Sequence, residues 1–291
     1  MGAPTPGPQL SAVTEPPREP PREATGTMPG ARAVRTLGAG VLVVWLSVVV
    51  LLPLAALAAS SWAGGPAGFW QAVSSEGSLA ALRVTVLLSA VVAAVNVVMG
   101  TLIAWVLVRD DFRGISLVNA LIDLPFALPT IVASIVLLGL YGPSSHFGIH
   151  LSATRPGVVV ALAFVTLPFV VRSVQPVLLE LDRTVEEAAA ALGAGPWTVA
   201  RRLVLPALAP AVLSGGGLAF ARALGEYGSV VLIGGNLPGQ TQVASQYIQQ
   251  LVEVGRPADA AAVSVALLLV AFAVLLLLRL VTACRRGGPG R

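Results

Sequence analysis

Six apolar runs divide the chain, each near the ~20 residues a helix needs to cross a bilayer. They lie at about 38–60, 81–108, 119–141, 157–179, 207–234 and 261–282. The pattern predicts an all-α integral membrane domain over 36–282. Residues 1–35 hold Pro4, Pro6, Pro8, Pro16, Pro17, Pro20, Pro21 and Pro29 among scattered Arg and Glu. Such a segment buries too little apolar surface to offset its ordering entropy, so a disordered tail is expected there. Met28 is a second candidate start. The first apolar run has an A-x-A-like site at Ala56-Leu57-Ala58. It exceeds a signal-peptide core and follows a long tail, which favours a span.

The polar intervals are unequal. The longest, 180–206, lies between the fourth and fifth spans. In it Thr184-Val185-Glu186-Glu187 has the form of a capping box. A helix from about 185 to 192 is expected, ended by Gly193 as its C′ residue. Gly195-Pro196 suits the N-cap and first position of a second short helix, closing near Leu205. Pro206 then opens the fifth span. A small-residue face on the first of these helices permits close approach by another protein. The competing reading assigns Glu187 to the cap and the Ala run to helix propensity.

The other irregularities fall inside spans. Pro125 and Pro129 bracket Asp123-Leu124-Pro125-Phe126-Ala127-Leu128-Pro129, Pro168 interrupts the fourth span, and Gly215-Gly216-Gly217 opens the fifth. Membrane helices tolerate Pro and Gly where neighbours re-satisfy the backbone, and small residues admit close packing. Packing alone and a part in gating stand level as readings.

Composition supports the membrane class. The chain is 56% hydrophobic and 11% charged, against about 25% charged in soluble domains. All 18 basic residues are Arg, and Lys is absent. Arg placement sets orientation. With the N-terminus in the cytoplasm, fourteen Arg lie inside and Arg83, Arg155 and Arg256 outside, with Arg222 within a span. Both termini are thus expected in the cytoplasm, the second as a tail at 283–291, and 180–206 falls on that side. No nucleic-acid partner is expected.

Few residues suggest chemistry. Cys284 is the single Cys, so no intrachain disulfide forms. His146 and His150 are four apart in a loop without a nearby carboxylate, and a metal site is not expected. No H-E-x-x-H or G-x-S-x-G occurs and neither His lies in a span, which counts against an intramembrane enzyme. No internal repeat is evident, which counts against an ion-gradient-driven secondary transporter. A P-loop requires Lys to reach the β/γ-phosphates. A chain without Lys cannot form that site, so ATP hydrolysis would have to come from another chain.

Ionisable groups within spans are functional candidates by default. Arg222 and Glu226, four apart, are expected on one face of the fifth helix. In one reading they neutralise each other or pair with a neighbouring helix. In the other, Arg222 lines a path for an anion and Glu226 restrains it from trapping the ion. Arg172 reads as a topology anchor or loop contact rather than a ligand, and Asp123 as pairing with an Arg or capping a helix. Trp197 is either an interfacial anchor or part of a partner contact. Gln242–Leu251 reads as a short amphipathic helix on the outer surface.

Glu187-Ala188-Ala189, three residues, Gly193, nine residues, Leu203, one residue and Leu205-Pro206 together resemble the EAA signature of ABC-importer permeases. Leu203 stands where the signature usually has Ile. The resemblance implies a six-helix type I permease fold with a cytoplasmic coupling helix seated on a separate ABC ATPase dimer. Glu187, Ala188, Ala189 and Gly193 would be the coupling residues. ATP and Mg would be bound by that partner, leaving no cofactor in this chain. A closer resemblance, over about 80–270, is to sulfate/thiosulfate permeases. It rests on Asp123–Thr130, Pro168–Arg172, Val174–Leu178 and Leu224–Gly228. Molybdate permeases are close relatives and remain the alternative, with other oxyanions. The resemblance further implies a second permease subunit, an extracytoplasmic sulfate-binding protein facing the 235–260 loop, and a place in the plasma (inner) membrane among lipid.

Overall fold

The computed structural model describes Gly2 and residues 40–145 and 148–286. The rest of the Pro-rich segment 1–35, His146 and residues from 287 onward lie outside the described residues. The chain divides into two compact units, Met1–Pro53 and Leu54–Arg291. In the first, the described residues from Gly40 onward are helical and almost entirely exposed. They begin helix α1, Gly40–Ser61, which has the length and hydropathy of a membrane span.

The second unit is helical with irregular connections. Its helices are α2 (Gly65–Ser74), α3 (Glu76–Arg109), α4 (Ile115–Ala127), α5 (Thr130–Tyr141) and α6 (Arg155–Glu180). They continue with α7 (Arg183–Ala191), α8 (Pro196–Leu224), α9 (Ala244–Glu253) and α10 (Pro257–Arg286). Local chemistry starts the long ones. The Ser75 hydroxyl accepts from the Ser78 amide at α3, and Thr154 accepts from Gly157 at α6 with Pro156 in the first turn. Each satisfies an amide with no partner inside its own helix.

Helices α3, α6 and α8 pack together as the centre. Two apolar clusters mark its ends. One joins Leu107, Ile122, Leu178 and Leu208. The other joins Val84, Leu88, Leu137, Val158 and Val230. Between them, buried Asn96 on α3 donates to Thr166 Oγ1 at 2.8 Å and to the Ala163 carbonyl at 3.2 Å on α6. Contacts of this kind contribute on the order of 1 kcal/mol inside a membrane. Close approach of α8 to α6 depends on Gly215. A Cβ there would lie 2.9 Å from Ser173 Cβ and 3.0 Å from the Val170 α-carbon.

Two expected spans are corrected. The third, 119–141, is not one helix. Its halves α4 and α5 meet at 115° across Leu128 and Pro129. Pro129 has no amide hydrogen and pushes the residue before it to extended backbone, and Leu128 has φ −86° and ψ 135°. The two halves still reach both ends of the centre. Ile122 of α4 sits in the first cluster and Leu137 of α5 in the second. With this bent pair counted as one, the described residues hold six segments long and apolar enough to cross a membrane.

The fifth span, expected to 234, ends as helix at Leu224, and residues 225–243 are turns and irregular chain. Val230 and Ile233 are nonetheless fully buried. Irregular backbone at this depth survives only if protein satisfies it. Ser134 Oγ accepts from the Leu232 and Ile233 amides, at 3.1 and 3.3 Å. Thr85 Oγ1 accepts from the Ala244 amide at 2.6 Å. The expected short amphipathic helix forms as α9, whose buried face, Ala244, Gln246 and Leu251, packs on α3 and α10 while Gln249, Gln250 and Glu253 stay exposed.

Candidate functional site

The interval 180–206 forms the expected helix, turn and second helix with different ends. Helix α7 starts at Arg183, and its N-cap is Asp182, not Thr184. The Asp182 carboxylate accepts from the Thr184 amide at 2.9 Å. That hydrogen bond holds its pKa below the ordinary aspartate range. Asp at the N-cap competes well with Thr, and its charge suits the helix N-terminus. The capping box is therefore not formed, and Glu187 is left exposed.

The other end follows the expected geometry. Gly193 has φ +88°. Its amide bonds to the Ala190 carbonyl at 2.9 Å, and the Ala194 amide bonds to Ala189 at 3.0 Å. These two bonds form a Schellman motif, for which a left-handed residue at C′ is required. Gly195 is the next N-cap and Pro196 follows it. The second helix does not close near Leu205. It runs through one π-helical turn, Ala200–Val204, directly into the fifth span.

Glu187, Ala188 and Gly193 are all exposed, while Ala189 is half-buried. The surface around them is more apolar than a smooth Ala/Gly face. Leu192 is 89% exposed, Trp197 72% and Val185 53%. Val185, Ala188 and Leu192 fall at i, i+3 and i+7, one stripe of a helix. Only the helical period signals Leu192, which sequence reasoning passed over.

Glu186, also missed, turns the other way. It forms an ion pair with Arg109 at the end of α3. The Arg109 guanidinium carbon lies 5.5 Å from the centre of the Trp105 ring. Arg183 Nη2 donates to the Val108 carbonyl at 3.3 Å. No sequence spacing relates residue 109 to residue 186, so this pairing was not legible in advance.

Arg222 and Glu226 are brought together, but not as expected. Arg222 is in the last turn of α8, whereas Glu226 lies beyond the Gly225 C-cap. Arg222 Nη1 and Glu226 Oε2 are 2.5 Å apart, with the Glu226 side chain 1% exposed and that of Arg222 36%. The second carboxylate oxygen accepts from the Ser229 amide at 2.8 Å. Ser245 Oγ donates to the Glu226 carbonyl at 2.6 Å. Glu226 thus fixes the turn after α8 and holds one edge of Arg222, whose remaining surface is partly open.

Asp123 pairs with an Arg, as expected, and that Arg is Arg172. Nε and Nη2 reach the two carboxylate oxygens at 2.8 and 2.5 Å. Nη1 donates to Asn119 Oδ1 and Gln175 Oε1, at 3.1 and 2.6 Å. The Arg172 contact is therefore between α6 and α4 rather than with a loop. His150 Nδ1 donates to the Gly142 carbonyl, 2.9 Å away.

Residues 96–286 match the family model for the binding-protein-dependent transport system inner membrane component. A sulfate transport system permease protein CysT from Synechocystis is 42% identical over 247 residues, covering 82% of this chain and 86% of that protein. CysT of Escherichia coli is 42% identical over 244 residues, covering 80% and 87%. Among solved structures, a bacterial alginate ABC transporter in complex with its alginate-bound periplasmic protein has a chain of the same fold. The TM-score is 0.71 at 19% identity, covering 86% of this chain and 94% of that one.

Proposed function

Since the chain belongs to the inner-membrane components of binding-protein-dependent transport systems, in their sulfate-permease branch, we propose that it forms half of a sulfate/thiosulfate import path. A second, related permease subunit supplies the other half. A separate ATPase dimer, which binds ATP and Mg, drives the cycle, and an extracytoplasmic binding protein delivers the anion. Both termini and the α7 end of the molecule face the cytoplasm, and the outer ends of the spans face the binding protein.

The observation that carries the coupling half of this reading is the exposed stripe of Val185, Ala188 and Leu192 on a helix stopped by Gly193. Contiguous exposed apolar surface on a helix marks a protein contact. With the EAA spacing in the same place, α7 is the coupling helix, and Glu187, Ala188, Ala189 and Gly193 are its contact residues. ATP-driven closure of the ATPase dimer moves α7, and α7 tilts the spans between inward- and outward-open forms. The chain performs no covalent chemistry.

The pathway half rests on Arg222. It is the cation at the end of α8 where the helix gives way to irregular chain, held on one side and open on the other. Half-open guanidinium hydrogen-bonds to oxyanions, and Glu226 limits how tightly it holds them. Reconstitution with copurified subunits tests the whole reading. ATP-dependent uptake of labelled sulfate is expected, competed by thiosulfate more strongly than by molybdate. Uptake of molybdate in preference to sulfate would reassign the substrate, and uptake that follows an ion gradient without ATP would remove the mechanism.

A further inference from the structure

Two consecutive glutamates at the start of α7 face opposite ways. Successive residues of a helix are about 100° apart around its axis. Glu187 is exposed, while Glu186 is turned inward to Arg109. The Arg109 side chain is only 11% exposed and that of Glu186 22%. On its other side Arg109 lies over Trp105, and its Nε is buried with no hydrogen-bond partner among the described residues. A guanidinium so placed has little water to fall back on, so Glu186 is its main compensation.

The connectivity makes this contact matter. In sequence, α7 joins α6 through Leu181-Asp182 and α8 through a turn holding Gly193 and Gly195. Across space, two side-chain contacts tie it to the end of α3: Glu186 to Arg109, and Arg183 to the Val108 carbonyl. Leu107, two residues before Arg109, belongs to the cluster that also holds Leu178 of α6 and Leu208 of α8. A displacement of α7 carried through Arg109 therefore reaches all three central helices at once. A displacement carried only by the linkers reaches α6 and α8 at their tips.

We infer that the Glu186–Arg109 pair is the strut that transmits movement of α7 to α3, so that Glu187 faces the ATPase and Glu186 faces the spans. The inference rests on the coupling-helix reading of α7. Both are positioning residues: neither touches nucleotide or the transported anion.

The test uses the complete reconstituted complex, with Glu186→Gln, Arg109→Gln and the double variant. Each single change is expected to lower sulfate moved per ATP hydrolysed by about tenfold, while ATPase copurification and ATP hydrolysis stay close to wild type. The double variant is expected to be no worse than the lower single, because one link is broken only once. Effects that multiply in the double, an unchanged ratio, or ATP hydrolysis lost in step with uptake would each overturn the strut.

A second reading needs neither uptake nor substitution of the pair. Spin labels at Thr184→Cys and Asp110→Cys, in a Cys284→Ser background, report the distance from α7 to the end of α3. The same distance distribution is expected with ATP trapped and without nucleotide. A shift between those states would show that α7 moves independently of α3 and would overturn the inference. A wild-type complex that hydrolyses ATP and moves no sulfate would sink the substrate reading alone, and the label distance would still decide the strut.

Discussion

Arg172 on α6 holds Asp123 on α4 through two nitrogens, Nε to Oδ1 at 2.8 Å and Nη2 to Oδ2 at 2.5 Å. The same guanidinium reaches Asn119 one turn earlier on α4, at its side chain and at its carbonyl. It therefore grips the half of the broken span that precedes the bend. Arg172→Lys is expected to fail as a replacement, because an ammonium cannot span two carboxylate oxygens from a planar fork. Both partners are partly exposed, so the loss of stability should be small, about 1 kcal/mol. Uptake should fall further than stability, as α4 loses its register on α6. Thermal unfolding beside uptake, for Lys and for Asp123→Asn, checks this. Full uptake in Arg172→Lys would remove the clamp from the mechanism.

Gly215 sets how closely α8 approaches α6. A Cβ placed 3.0 Å from the Val170 α-carbon meets backbone, which cannot swing away as a side-chain tip can. Gly215→Val should destabilise by about 1–3 kcal/mol, the range for overpacking a tight contact. Gly68→Ala on α2 is the matched control, since its added Cβ meets nothing within 4 Å. Denaturation of the purified protein in detergent separates them. Equal midpoints for the two variants would contradict the packing drawn for α6 and α8.

Much of this arrangement was legible in the sequence, and the failures share a cause. Long apolar runs announce spans because each run carries its own signal, and α3, α6 and α10 began and ended within several residues of expectation. The Gly193 stop was equally local. The break at Leu128-Pro129 was locally encoded too, by a residue before Pro, but the surrounding run was apolar enough to hide it. The end of α8 was hidden for the same reason. Val230 and Ile233 read as membrane helix, yet they are buried in irregular chain whose amides are held by Ser134 and Glu226. Asp182 took the cap from Thr184 because the helix begins two residues earlier than expected, at Arg183. Pairings such as Arg109 with Glu186 arise only from the folded chain, and no periodicity reports them.

Gly193 should tolerate substitution in the membrane and not in coupling. A Cβ there would meet nothing within 4 Å in this chain, so its cost comes from φ +88°. Strain of this kind is about 1–3 kcal/mol for a non-Gly residue, and a β-branched side chain is worse than Ala. Gly193→Val should insert and purify normally yet lose transport-coupled ATP hydrolysis, with Gly193→Ala intermediate. Normal coupling in the Val variant would count heavily against α7 as the docking element.

The cap at Asp182 makes the start of α7 sensitive to acid. Its folded pKa lies below the ordinary value, because the charged form accepts the Thr184 amide. The contribution is therefore present at any pH above the ordinary aspartate pKa, near ~3.9, and is lost as pH falls through the lower folded value. Coupling between pH 5 and 8 should not depend on this group. Asp182→Asn should behave like wild type there, since Asn caps about as well. Hydrogen exchange at the first turn of α7 should be slower in wild type than in Asp182→Ala at neutral pH, and the difference should shrink once the carboxylate is protonated. A protection difference of the same size in strong acid would assign the cap to something other than the charge.

Arg222 and Glu226 should respond unequally to neutralisation. Glu226 is buried, accepts a backbone amide and shapes the turn after α8. Glu226→Ala would leave the Ser229 amide and an arginine without their partner, at a cost of about 3 kcal/mol or more. Arg222→Gln removes the more open partner and leaves the turn contacts in place. It leaves the buried Glu226 carboxylate without its cation, so its cost should be of the same order, about 3 kcal/mol, softened only where the amide of Gln still donates to the carboxylate. If the guanidinium meets the passing anion, sulfate uptake by Arg222→Gln should drop at equal expression, and its dependence on ionic strength should flatten. Glu226→Gln keeps the hydrogen bond to Ser229 and frees Arg222 to hold an oxyanion longer. Its uptake should therefore slow through lower kcat with a lower KM, the reverse of a plain loss of binding. Unchanged uptake and salt response in Arg222→Gln would take the arginine out of the path and leave the pair a structural one.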